Sequence, residues 1–155
     1  MENIYISELD KIINDFLLDN NFDCSAKFGS DFAYWYENSE IEYSLLVSER
    51  LDNMFKEFAE SIGLKINCGN FLLSFFHELG HHNTLDFLDD DLYEESQLIK
   101  SNLNSEIDED CKKYFELYDE IEATKWAISY INNNEEKIKK FAIDIQENLS
   151  KWIEV

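Results

Sequence analysis

Residues 77–81 read His77-Glu78-Leu79-Gly80-His81. Side chains four apart on an α-helix stand one above the other. Two imidazoles at this spacing can therefore reach a single zinc ion at roughly 2.0–2.1 Å. Glu78, one step after the first histidine, is then directed at the water that completes the metal's coordination. The metal lowers that water's pKa, the carboxylate takes the proton, and the resulting hydroxide attacks a peptide carbonyl. A five-residue motif also arises by chance in helices that bind nothing. Two features weigh against chance here: the chain's only three histidines are His77, His81 and the adjoining His82, and the flanking Phe75, Phe76 and Leu79 are strongly apolar. At 100° per residue, Leu72, Phe75, Phe76 and Leu79 form one stripe and His77 with His81 lie roughly opposite, so the helix is expected to be covered on both sides. His82 falls off the ligand face and is expected to be a partly exposed histidine.

A hydrolytic zinc site needs three protein ligands and one open position. The metzincin pattern would put Gly and His where this chain has Thr84 and Phe87, so that class is excluded. The third ligand is sought in Tyr118-Asp119-Glu120-Ile121-Glu122-Ala123-Thr124-Lys125-Trp126-Ala127. On a helical wheel Glu120 falls among Leu117, Thr124, Ala127 and Ile131, a face otherwise apolar or small, where a carboxylate needs a partner. Glu122 falls beside Phe115 and Trp126 on another face and is expected to be solvated. Glu116, one turn earlier, shares the side of Glu120 and stays open as an alternative metal ligand.

HELGHH followed by Glu-x-Glu-Ala-x-x-Trp-Ala resembles the ImmA/IrrE group of metallopeptidases, over residues 70–128 or so. That resemblance implies a gluzincin-like, zincin-like site: His77 and His81 match the histidine ligands, Glu78 the catalytic base and Glu120 the third ligand. Thr124 stands where the family usually has Asn or Asp supporting a ligand, and Trp126 where it has Phe. The Leu-Leu-x-Pro-like ending is missing, and the chain has no proline at all. Members of the group often cleave or disable helix-turn-helix repressors in phage, mobile-element or stress-response settings, which is what the resemblance implies for a partner.

The elements that must position these residues are read from periodicity. Ile6, Leu9, Ile13, Phe16 and Leu17 predict an amphipathic helix over 4–18. Runs at Phe32–Tyr36 and Ile41–Val47 around the turn-rich Glu37-Asn38-Ser39-Glu40 predict a hairpin, with a third strand near Phe22–Phe28. The alternating aromatics of Phe32–Tyr36 are expected to divide between core and sheet face. A helix is predicted over 49–62, stopping at Gly63, then an edge strand at Leu64–Cys68, then the motif helix from about Asn70. An acidic loop is expected from Asp86 to Glu95; its Asp89-Asp90-Asp91 run lacks the alternating ligands and glycine of an EF-hand. Helices follow weakly over 92–103 and strongly over 107–131 and 135–153. The fold class is α+β, mostly helical, with a small antiparallel sheet.

With 155 residues, 45% of them apolar and 15% aromatic, the chain is expected to form one folded domain over 1–155. Its 34 acids against 13 Lys and Arg give a net charge of -21, which repels nucleic-acid phosphate and anionic membrane and attracts basic protein. The acidic start lacks a signal-peptide pattern, no run reaches membrane-span length, and Cys24, Cys68 and Cys111 have no CxxC spacing. Reduced thiols buried as small core residues and a cytoplasmic location are the expectation. Phosphate-binding glycine loops and the GxSxG elbow are absent, and four glycines leave no room for them. The expected activity is thus a zinc-dependent endopeptidase acting on an intracellular protein. The alternative is an acidic inhibitor that mimics DNA or binds a protein, with a structural or vestigial metal site. A weaker third is a protein in which the motif holds no metal.

Overall fold

The computed structural model describes residues 4–46 and 48–153. It is mostly helical with one small sheet, an α+β architecture. In chain order come α1 (Ile4–Asp19), β1 (Ser25–Phe28), β2 (Ala33–Trp35), β3 (Glu40–Tyr43), α2 (Glu49–Ser61), α3 (Asn70–Thr84), a 3-10 turn (Leu85–Phe87), α4 (Asp90–Lys100), α5 (Asp108–Glu116), α6 (Tyr118–Asn133) and α7 (Glu135–Ile153). They form two compact units, one from the described residues of Met1–Leu46 and Asn134–Val155, the other from those of Val47–Asn133.

In the first unit α1 buries Leu9, Ile13 and Leu17 of the predicted stripe, while Ile6 and Phe16 are half-buried. It packs on α7 and β1, with Phe16 stacked on Phe141 at 4.0 Å between ring centroids. The sheet order is β1-β3-β2. β2 and β3 form the antiparallel hairpin, but β1 pairs with β3 in parallel, Ala26 facing Ile41, so the sheet is mixed rather than antiparallel. The cause is a short crossover that puts β2 on the far side of β3. Glu42 organises it, accepting from the backbone N–H groups of Ser30 and Asp31 at 3.0 Å and from Trp35 Nε1 at 3.1 Å. The outer edge of β1 is closed by Asn14, which accepts from the Ala26 N–H at 2.8 Å and donates to the Ala26 carbonyl at 2.9 Å. Ile41 and Tyr43 supply the sheet's buried alternation. The aromatic run does not: Trp35 and Tyr36 are exposed and Tyr34 is half-buried.

The second unit is built on α3. Its stripe of Leu72, Phe75, Phe76 and Leu79 is buried, and so are Leu73, His77 and His81 around the rest of its girth. α6 lies along it, α2 packs on α3 and α5, and α4 and α5 pack on α6. Three predicted elements differ. Leu64–Cys68 is no strand; the Lys65 N–H donates to Asn132 Oδ1 at 3.0 Å and Asn132 Nδ2 donates to the Gly63 carbonyl at 2.8 Å, tying the segment to the end of α6. The acidic loop is largely the start of α4: Asp89 Oδ1 caps the Leu92 N–H at 3.0 Å, and Asp90 and Asp91 sit in the first turn, where the helix dipole favours them. The long helix over 107–131 is two helices, because Leu117 is extended (φ -62°, ψ 148°) and its carbonyl accepts the Ile121 N–H to begin α6. Cys111 is a core thiol as expected, whereas Cys24 and Cys68 are only partly buried. No helix among the described residues is long and apolar enough to cross a membrane.

Candidate metal centre

His77 and His81 stand one turn apart on α3, their ring centroids 4.7 Å apart, and Glu120 reaches them from α6. Glu120 Oε1 lies 2.9 Å from His77 Nε2 and 3.2 Å from His81 Nε2. All three side chains are buried, with 8%, 6% and 3% of their residues' surface exposed. Their donor atoms fall within 4.8 Å of one another, a group able to hold a metal ion.

Two local features bring the helices together. A Cβ at Gly80 would lie 2.3 Å from the Ala123 carbonyl oxygen, so α3 and α6 meet at a contact that only a glycine allows. The break at Leu117 then makes Glu120 the third residue of a new helix, where the partial positive charge of the N-terminus favours its carboxylate. The same break removes Glu116 from contention: it is the exposed last residue of α5 and not one turn below Glu120 on a shared helix. Glu122 is half exposed and 3.7 Å from Lys125, as its helical phase predicts. His82 is partly exposed.

Thr124, wholly buried, stands behind the first histidine. Its hydroxyl donates to the Glu120 carbonyl at 2.9 Å, and its oxygen lies 2.9 Å from His77 Nδ1. A hydroxyl has one proton, so the oxygen must accept from Nδ1–H, which fixes the tautomer of His77 and leaves the Nε2 lone pair toward Glu120. Thr124 thus orients His77 from α6. Phe55 of α2 closes this side with its ring edge-on to His77 at 5.1 Å, and itself packs against Phe115.

On the other side Lys100, the last residue of α4, donates to Glu120 Oε2 at 2.5 Å and to Asp119 Oδ2 at 2.7 Å. Gln97 Nε2 donates to the same Asp119 oxygen at 3.0 Å. Asp119 is fully buried, and its Oδ1 has no hydrogen-bond partner among the described residues. One ammonium thus serves two buried carboxylates. Burial raises the pKa of Glu120, but its hydrogen bonds to His77 and His81 outweigh this and hold it well below the usual carboxylate range. Burial lowers the pKa of His81, and Glu120 with Glu78 more than reverses it. Burial, with help from Glu120, Glu78 and Asp119, pushes the Tyr114 hydroxyl well above the ordinary phenol range. Glu78 itself is half-buried on α3, its charge felt at both His81 and Tyr114.

These contacts fit a cation. Two imidazole nitrogens and an anionic oxygen converge, one nitrogen with its lone pair fixed toward the oxygen, and such a set needs a proton or a metal at its centre. Two buried carboxylates and one lysine leave a negative charge over, on the atom that faces the imidazoles. The chain matches no protein-family model, no curated protein and no solved structure. The motif spacing points to His77 and His81, helical phase to Glu120, and the resemblance noted above to Thr124. Lys100, Asp119, Gly80 and Tyr114 carry no such signal, because each matters through a residue on another helix or on the turn beside it.

Proposed function

We propose that the chain is a zinc-dependent endopeptidase with a zincin-like site, acting on an intracellular protein. The observation that carries this reading is the convergence of His77, His81 and Glu120 with His77 held by Thr124 in the tautomer a metal requires. His77 and His81 supply nitrogen ligands and Glu120 one oxygen, a borderline donor set that suits zinc. When bound, zinc supplies Lewis acidity that polarises a carbonyl and makes a nearby water acidic near neutral pH. Glu78 takes that water's proton and returns it to the departing amine. Phe55 excludes solvent behind His77. The Tyr114 hydroxyl, kept protonated, hydrogen-bonds the Glu120 side chain. The resemblance of residues 70–128 to ImmA/IrrE peptidases adds a substrate class, a basic DNA-binding regulator in a phage or mobile-element setting, and the net charge of -21 suits such a partner.

The test uses protein purified without a histidine tag, zinc-loaded, against an internally quenched random peptide library enriched in Lys and Arg. Cleavage lost in Glu78→Gln, with zinc still bound at about one per chain, is the expected result. Equal cleavage by the wild type and Glu78→Gln overturns the mechanism.

The charge also favours a second reading, an acidic protein that occupies a basic partner by imitating DNA and keeps the metal for structure only. Its mark is a complex that weakens steeply with salt and survives His77→Ala.

A further inference from the structure

We propose that Lys100, gripped by Asp119, is a positioning residue that makes Glu120 a one-oxygen ligand. This rests on the metal reading above and deepens it. A carboxylate can bind a metal through one oxygen or both, and the difference sets the coordination number. Here the two oxygens of Glu120 have different neighbours: Oε1 faces His77 Nε2 and His81 Nε2, while Oε2 takes the Lys100 ammonium at 2.5 Å. Oε2 cannot turn inward without giving up a charge-assisted hydrogen bond in a buried setting. The lysine is itself fixed. Its second bond, to Asp119 Oδ2, runs to a carboxylate with no surface exposure, and Gln97 from the preceding turn of α4 holds that oxygen too.

The arrangement is costly unless it has a use. Asp119 adjoins Glu120 in sequence, is buried, and leaves Oδ1 without a hydrogen-bond partner among the described residues. A residue serving the fold alone would be cheaper as Asn or an apolar side chain. Its effect is to hold the Lys100 head over Glu120, beside the Tyr114 ring at 5.3 Å. With Oε2 neutralised, Glu120 also donates less charge through Oε1, which leaves a bound ion the stronger Lewis acid and keeps one position free for water and substrate.

Cobalt(II) is the probe, because its visible absorption is strong in four-coordinate sites and weak at higher coordination numbers. The wild type is expected to give the strong spectrum. Lys100→Met, which frees Oε2, is expected to bind cobalt(II) with visible absorption at least halved, and Lys100→Arg to keep it. Lys100→Met leaves two buried carboxylates without a cation and can fail to fold. The double variant Lys100→Met with Asp119→Asn restores the charge balance while still freeing Oε2, so it must show the same loss. Wild-type absorption in that double variant, or a loss in Lys100→Arg as large as in Lys100→Met, overturns the proposal. If the wild type binds neither cobalt nor zinc, the metal reading fails and takes this one with it; if it binds both and the variants are unchanged, only this one fails.

Discussion

Thr124 has one proton to give and gives it to the Glu120 carbonyl, so the His77 Nδ1–H depends on the same oxygen as its acceptor. Thr124→Val keeps the volume and removes both bonds. Zinc affinity, measured by competition with a chromophoric chelator, is expected to fall about 10–100-fold. The metal-free protein is expected to lose roughly 1–3 kcal/mol in urea unfolding, since a buried donor is left unpaired. Thr124→Ser should retain most of both. Outside the centre, Glu42 provides a pH test. Burial raises its pKa, but the hydrogen bonds from Asp31, Trp35 and Ser30 outweigh that and lower it. A carboxyl depressed in the folded state stabilises the fold above its unfolded pKa, and this is lost as pH falls through the folded one. The Trp35 indole N–H resonance is therefore expected to titrate with a midpoint below the ordinary glutamate value of about 4.3. A midpoint at or above that value would remove Glu42 from its role in the crossover.

Between elements, the decisive contact is α3 against α6 at Gly80 and Ala123. Gly80→Ala must part the two backbones, because the new methyl would meet a peptide group and not a flexible side-chain tip. Overpacking of this kind costs about 1–3 kcal/mol. Thermal unfolding and chelator competition should report loss of stability and of zinc together, as the displaced helix carries both Glu120 and Thr124. Asp89→Ala tests α4 in a milder way: loss of its cap should cost about 1 kcal/mol. These elements also show what the sequence makes legible. The phase of one helix selects Glu120 over Glu122, because burial follows a 3.6-residue period whatever lies opposite. The stop at Leu117 was hidden, since neither Pro nor Gly marks it and the apolar period runs on through it. The parallel pairing of β1 was hidden for a related reason: periodicity tells which face of a strand is buried and not which strand lies beside it. Lys100 is not legible in the sequence, because its segment has only a weak helical pattern and its partners are 19 and 20 residues away.

For the molecule as a whole, a net charge of -21 over 155 residues acts on every equilibrium. Self-repulsion opposes the compact state, and salt screens it as the Debye length falls from roughly 30 Å at 0.01 M to about 8 Å at 0.15 M. The melting temperature is expected to rise over that range of sodium chloride, as calorimetry would show. A flat response would mean that ion pairs such as Lys100 with Asp119 and Glu120 offset the repulsion. Composition made this property plain from the outset. What it could not convey is where the few cations are placed.

The histidines have a practical value of their own. All three lie in one stretch of α3, and Phe55 sets its ring edge-on to only one of those described around the centre, His77. Ring-current shifts should separate the His77 imidazole signals from those of His81 in a simple proton NMR spectrum. Metal entry, ligand order and pH response can then be followed one side chain at a time, without isotope labelling or a single substitution.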